Sequence, residues 1–257
     1  MRLAMALSNC CFLLGCAGGC AREPAQMSPS QLASGVWGVL ECPDEAGPHA
    51  AAVLLHGAVG WRPDLVDLAS VLADEGLVTL VLDYYADTER TPGGSGEKLA
   101  AWSGYQAAVR RAVEYLRSLP SVSGKPVGLV GFSRGAFLAV SVASSLPSVS
   151  AVVAFYGGGG GGPASLEEDV AGLPPVLILH GDADTVVPVD FAYALRDAVI
   201  AAGGRAELHV YPDVGHSFNA PSSPEYSATA AEDAHRRTIE FLQRELVSRK
   251  AGSVGAE

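Results

Sequence analysis

Residues 128–137 read GLVGFSRGAF, an apolar run that breaks at one serine held between two glycines and resumes at once in small and apolar residues. Pro126–Val130 has the length and branching of a buried strand, and Phe132–Leu146 repeats its apolar residues as a helix does. A serine that only capped the helix would need no glycine two positions to either side. A serine forced into a tight, strained strand-to-helix turn would need both, because side chains at Gly131 and Gly135 would collide with the neighbouring strand and helix. The pattern Gly-x-Ser-x-Gly suits that second arrangement, with the Ser133 hydroxyl above a sheet at a helix N-terminus, whose dipole favours developing negative charge. An N-cap serine is the plainer alternative.

Outward from this turn the chain alternates. Val36–Glu41, Ala51–Leu55, Leu77–Leu82, Ala151–Tyr156, Val176–His180 and Glu207–Tyr211 are short strand-like runs. Helical spacing is expected over Asp64–Asp74, Lys98–Leu119, Asp190–Ala202 and Ala228–Val247. Apolar strands separated by helices predict an α/β fold, a mostly parallel central sheet with helices on both faces. In such a sheet ligands meet the carboxyl ends of the strands. The glycine run Gly157–Gly162 follows a strand directly and reads as a loop rather than a domain joint.

A serine hydroxyl is a poor nucleophile until a base takes its proton. Two groups of residues follow later strands and therefore share the rim with Ser133. Gly181-Asp182-Ala183-Asp184 comes after Val176–His180, and Gly215-His216-Ser217-Phe218 comes after Glu207–Tyr211. The order serine, acid, histidine is that of a hydrolytic triad. We assign Ser133 as nucleophile, His216 as base and Asp184 as the acid that orients it, with Asp182 binding turn amides. Gly215 is expected to permit the tight turn beside His216. His180 reads as a packing residue, His56 as a turn brace, His49 as a loop residue, and His209 and His235 as lying on outer faces. Backbone amides of Ala58 and Arg134 are expected to form the oxyanion hole. Trp61, Tyr84, Tyr85 and Trp102 are candidates for a substrate pocket, with core packing as the competing role. No metal and no cofactor is expected, since paired-Cys or His-x₃-His spacing is absent; an ion held by Asp182 and Asp184 is the weaker alternative.

With these motifs in place the chain resembles the dienelactone hydrolase family of the α/β-hydrolases, over roughly Gly35 to Leu246. The resemblance rests on Gly128-Leu-Val-Gly-Phe-Ser-Arg-Gly135, Gly181-Asp-Ala-Asp-Thr-Val-Val-Pro188, Gly215-His-Ser-Phe218 with the closing helix after it, and Asp83-Tyr84-Tyr85. It implies the α/β-hydrolase fold and a small-molecule ester or lactone substrate. It also marks departures. The family's namesakes use a cysteine where this chain has Ser133, and a glutamate where it has Gly57. Arginines bind the substrate carboxylate there, at places matched here by Asp87 and Ala220. The resemblance therefore implies a serine hydrolase without a clamp for an anionic substrate. A thioesterase or peptidase using the same triad, and a catalytically silent ligand-binding lipoprotein, are the competing readings.

Composition sets the outer limits. With 257 residues the chain has room for one large α/β domain. A net charge of −11 argues against a nucleic-acid partner, whose phosphates are met by Lys and Arg. Four of the five cysteines lie in the first twenty residues, leaving only Cys42 in the body, so the expected fold holds no disulfide framework. Arg2 precedes an apolar stretch, Leu3–Leu14, that is too short to span a bilayer and suits an export signal. Leu13-Leu14-Gly15-Cys16 resembles a bacterial lipobox, so Cys16 is expected to be lipidated and the protein exported and tethered to a membrane. Translation from Met27 would instead give a cytoplasmic product. The expected divisions are a leader over 1–15, a polar tether over 16–34, the hydrolase domain over 35–250 and a tail over 251–257. Oligomeric state is not legible.

Overall fold

Strands β3 (Ala51–Leu55), β4 (Val78–Leu82), β5 (Val127–Phe132) and β7 (Val176–Gly181) are buried at every position. Strands with no wet face require cover on both sides. The structure is a computed structural model that describes residues 28–86, 98–159 and 170–248. The expected leader, Cys16, Asp87, the loop 91–96, residues 160–162 of the glycine run and the tail lie outside the described residues.

With β1 (Ser30–Ala33), β2 (Val36–Glu41), β6 (Val149–Phe155) and β8 (Ala206–Tyr211), these strands form one eight-stranded sheet in the order β1-β2-β4-β3-β5-β6-β7-β8. The β1/β2 and β2/β4 pairs are antiparallel, and every pair from β4 through β8 is parallel. Alternate residues of β3 serve opposite cores. Ala51, Val53 and Leu55 face α2 (Lys98–Ser118), α3 (Arg134–Ala143) and α4 (Asp190–Ala201), through residues such as Val109, Leu138 and Leu195. Ala52 and Leu54 face α1 (Asp64–Asp74) and α5 (Ala228–Leu242), through Leu68, Leu72 and Phe241. Burying each such leucine contributes about 1.5–3 kcal/mol, which holds the strand ends to one geometry.

The winding fixes where the site must be. From β3 the chain steps outward to β4, then crosses back over β3 to β5 and continues through β6 and β7 to β8. The sheet thus reverses its direction of growth between β3 and β5, and ligands bind outside the carboxyl ends at such a reversal. Those two ends lead into Gly57-Ala58 and into Ser133.

Several boundaries differ from the sequence expectation, most by one or two residues, and the last α-helix ends at Leu242 with a π-helical turn over Gln243–Val247 in place of the expected run to Val247. Residues 30–33, placed in the tether, form an edge strand against β2, with Gly35 at φ +68° turning the hairpin. Their polarity hid them, because an edge strand needs little apolar surface. β5 continues to Phe132 rather than stopping at Val130, since Phe132 pairs with Phe155 of β6. The helix begins at Arg134 and ends at Ala143 rather than spanning Phe132–Leu146.

Candidate active site

Ser133 is a single residue between β5 and α3, with φ +54° and ψ −118°. A non-glycine residue in that region is strained and persists only where its surroundings enforce it. Its amide donates to the Phe155 carbonyl at 3.0 Å, tying the turn to the end of β6. A Cβ on Gly131 would sit 2.2 Å from the Gly135 carbonyl oxygen, and one on Gly135 would sit 2.2 Å from that of Leu55. Both glycines are therefore demanded by backbone they touch, as the sequence pattern suggested.

Two serines stand at helix N-termini and behave differently. The Ser227 hydroxyl caps α5, accepting from the Ala230 amide. Ser133 makes no side-chain cap to α3, and its Oγ lies 3.0 Å from His216 Nε2. That geometry removes the N-cap alternative.

His216 sits in the loop after β8. Its Nδ1 lies 2.7 Å from Asp184 Oδ2. A carboxylate only accepts, so Nδ1 carries the proton and Nε2 is free to accept one from Ser133. The loop owes its shape to Asp213 (φ +57°) and Ser217 (φ +59°). Gly215 is not in the left-handed region, which corrects the expectation; a side chain there would instead meet the Glu225 carboxylate. Phe218, fully buried against Phe155 and Tyr211, anchors the loop. The edge of the Tyr156 ring meets the His216 ring at 4.8 Å, and the Tyr156 hydroxyl donates to buried Asn219 at 2.7 Å.

Asp184 is buried and heavily engaged. Oδ1 accepts from the Val186 and Val187 amides, both at 2.8 Å. Oδ2 faces His216 and also His180 Nε2, the latter at 3.3 Å. Burial alone would raise the carboxyl pKa. The hydrogen bonds from His180, His216, Val187 and Val186 outweigh it and hold the group well below the usual carboxylate range. Asp182 turns away, accepting the Asp213 amide at 2.7 Å and so joining the acid loop to the histidine loop. Among the described residues no group of three or more His, Cys, Asp or Glu side chains is placed to hold a metal ion.

The remaining assignments sort unequally. Ala58 is exposed in a turn closed by the Gly60 amide on the Gly57 carbonyl at 3.1 Å. A Cβ on Gly57 would be 4.0 Å from Ser133 Oγ, so this turn runs beside the hydroxyl. Arg134 opens α3, adjacent to Ser133. Tyr84 is core rather than pocket: it is 1% exposed and stacks on His56 at 3.9 Å. Tyr85 is buried too, with its hydroxyl between Arg134 and the Ala58 carbonyl. Trp61 and Trp102 are half-buried and pack on the cores of opposite sheet faces. His56 donates from Nδ1 to the adjacent Gly57 carbonyl at 2.8 Å, a brace within the turn. His235 was expected on an outer face but turns inward, beside Asn219 and Phe155, and burial lowers its pKa. A cavity of 750 Å³ between α1 and α5, lined by Leu68, Val71, His235 and Ile239, does not include Ser133.

Sequence reasoning missed the polar support: His180 on Asp184, and Tyr156 with Asn219 behind His216. His180 carried the one available signal, a histidine closing an otherwise apolar strand.

Comparison with known proteins bears on the family and the fold. The model of the dienelactone hydrolase family matches residues 36–246. The carboxymethylenebutenolidase of Pseudomonas putida is 29% identical over 211 residues, covering 76% of this chain and 86% of that protein. Among solved structures, the dienelactone hydrolase from Anabaena variabilis superposes with a TM-score of 0.63 at 21% identity, covering 82% of this chain and 92% of the other. A dienelactone hydrolase-like promiscuous phosphotriesterase from metagenomic libraries gives a TM-score of 0.69 at 23% identity, with coverage of 82% and 93%. These two structural likenesses speak to the fold.

Proposed function

The chain belongs to the dienelactone hydrolase family, and from that premise we propose that it hydrolyses carboxylic esters or lactones through an acyl-enzyme on Ser133. The observation that carries the proposal is the relay Asp184–His216–Ser133, with contacts of 2.7 and 3.0 Å. Ser133 Oγ attacks the carbonyl carbon while its proton passes to His216 Nε2. The carbonyl electron pair moves onto oxygen, and the amides of Ala58 and Arg134 hold that oxyanion. As the carbonyl reforms, the ester C–O bond breaks and the leaving oxygen takes the proton from His216. Water then repeats the sequence, releasing the acid and regenerating Ser133. Asp184 keeps the Nδ1–H tautomer and stabilises the imidazolium without itself taking the proton. The substrate we favour is neutral, because Ala220, at one place where the namesakes have an arginine, is fully buried and carries no charge.

The test is Ser133→Ala. Turnover of a neutral ester should fall by at least ~10³ while the protein stays folded, and labelling by a fluorophosphonate should vanish. Wild-type turnover in the folded variant would refute the mechanism. Export is a separate part of the proposal, supported by Arg2, the apolar stretch after it and Leu13-Leu14-Gly15-Cys16. Cys16→Ser should release the protein from membranes or leave it unprocessed; a native N-terminus at Met27 would overturn that part.

A further inference from the structure

The two amides assigned to the oxyanion belong to different segments. Ala58 is in the turn after β3, and Arg134 is the first residue of α3. Their donors must stay within a few tenths of an ångström of one oxygen position to be effective. The Ala58 turn is poorly placed to achieve this alone. Ala58 is exposed and Val59 is 80% exposed, and the Gly60 amide and His56 Nδ1 that brace the turn both act on the Gly57 carbonyl, at 3.1 and 2.8 Å, rather than tying it to α3.

A third segment ties this turn to the start of α3. Tyr84 and Tyr85 follow β4, which lies beside β3. The Asp83 carboxylate accepts the Tyr85 amide at 3.1 Å, which sets the direction of the tyrosine pair. The Tyr84 hydroxyl donates to the His56 carbonyl at 2.8 Å, and the Tyr85 hydroxyl donates to the Ala58 carbonyl at 3.2 Å. Arg134 Nη1 donates to the same Tyr85 oxygen at 2.6 Å. The phenol thus uses both of its capacities, accepting from one side of the oxyanion hole and donating to the other. Tyr85 is 7% exposed, and its ring edge packs on Tyr84 and His56 at 4.8 and 4.7 Å, so the hydroxyl is not free to swing.

We infer that Tyr85 and the Arg134 guanidinium are positioning residues that lock the two halves of the oxyanion hole together. This rests on the acyl-enzyme reading above. The lock acts on the charge that develops at the carbonyl oxygen, so it changes transition-state binding and leaves ground-state binding of the ester alone. It also gives Arg134 a role in this chain that its backbone amide does not exhaust.

The experiment compares Tyr85→Phe, Arg134→Met, the double variant and Arg134→Lys with wild type, using one neutral ester and one trifluoromethyl ketone. The ketone reads the lock directly: Ser133 adds to its carbonyl carbon, the hydroxyl proton moves to His216, and the oxygen becomes an oxyanion. Tyr85→Phe should lower kcat by about 10-fold with KM within about 2-fold, and should weaken the ketone by the same ~10-fold. Arg134→Met should act in the same direction. The double variant should be no worse than the poorer single by more than about 2-fold, because both break one link. Arg134→Lys should recover part of the loss. A raised KM with unchanged kcat would make Tyr85 a substrate contact and overturn the inference. So would a lowered melting midpoint with kcat intact, or simple additivity of the two substitutions. Ser133→Ala separates this outcome from failure of the underlying mechanism. A dead Ser133→Ala beside a fully active Tyr85→Phe refutes the lock alone, whereas an active Ser133→Ala refutes the acyl-enzyme itself.

Discussion

The nucleophile turn and the acid loop lie on the same rim of the sheet, and the residue each presents is held in a different way. At the turn, backbone presses on backbone: Ser133 is kept at φ +54° because Gly131 and Gly135 let strand, helix and the end of β3 approach to distances no side chain would allow. At the acid loop no residue is held at positive φ, although Gly181 at its base admits the Val214 carbonyl to within 2.0 Å of where a Cβ would sit. Four N–H groups face Asp184, two of them amides and two of them imidazoles; fully buried His180 reaches it only at 3.3 Å, its shorter contact of 2.8 Å being to the Val187 carbonyl. Steric fixation cannot be adjusted gradually, because a forbidden contact either exists or does not. Hydrogen-bond fixation is divisible, because one donor of four can be removed and the rest remain.

The comparison predicts an all-or-none response at the turn. Gly135→Val would drive a Cβ to 2.2 Å from the Leu55 carbonyl oxygen, so soluble folded protein and esterase activity should be lost together. A folded, active Gly135→Val enzyme would break the steric half of the comparison.

The acid loop should respond in steps. His180→Phe keeps an aromatic ring in the buried site and removes an N–H shared between the Val187 carbonyl at 2.8 Å and Asp184 Oδ2 at 3.3 Å. A hydrogen bond to a charged group is worth about 1.5–3 kcal/mol, so kcat should fall by about 10-fold rather than vanish. His180→Gln places an amide N–H₂ near the lost Nε2 and should recover part of the loss. Loss of stability with kcat intact would show His180 to be packing alone.

Acid should reveal the same support as stability. The folded Asp184 carboxyl titrates below its ordinary value of 3.8. A depressed folded value means that the fold prefers the ionised form. The stabilisation is complete above the unfolded value and is lost as pH falls through the folded one. Denaturation midpoints of wild type should therefore drop from about pH 4 downward, and Asp184→Asn should narrow the gap between pH 7 and pH 3. An unchanged gap would place the acid sensitivity elsewhere.

The smallest effect belongs to Asp182, which is exposed and accepts one amide from Asp213. Asp182→Asn should change kcat by less than about 3-fold. A larger loss would mean that the contact between the two loops sets the position of His216.

These contrasts also explain what was legible in advance. Gly131, Ser133 and Gly135 announce their turn because steric exclusion acts between residues a few positions apart and leaves its mark in the local sequence. Asp184 and His216 were legible by their order and by following strands, a consequence of parallel strands ending on one rim. Gly215 was misjudged, since the left-handed residues of its loop are Asp213 and Ser217, which no local rule singles out. Tyr84 and Tyr85 were read as pocket candidates because aromatic residues near a strand end suit either role. Only the partners of their hydroxyls, His56, Ala58 and Arg134, decide it, and these are 27 to 49 residues away along the chain. His180 was read as packing because burial is written in a strand's apolar run, whereas the loop geometry that brings Asp184 back over its ring is not. The sequence by itself thus determined the strand–helix alternation, the strained serine and the order of the reacting groups, all of which follow from sterics and periodicity over short spans. The tertiary structure decided which buried polar groups meet, because a hydrogen bond depends on distance and direction between segments that only the packed sheet brings together.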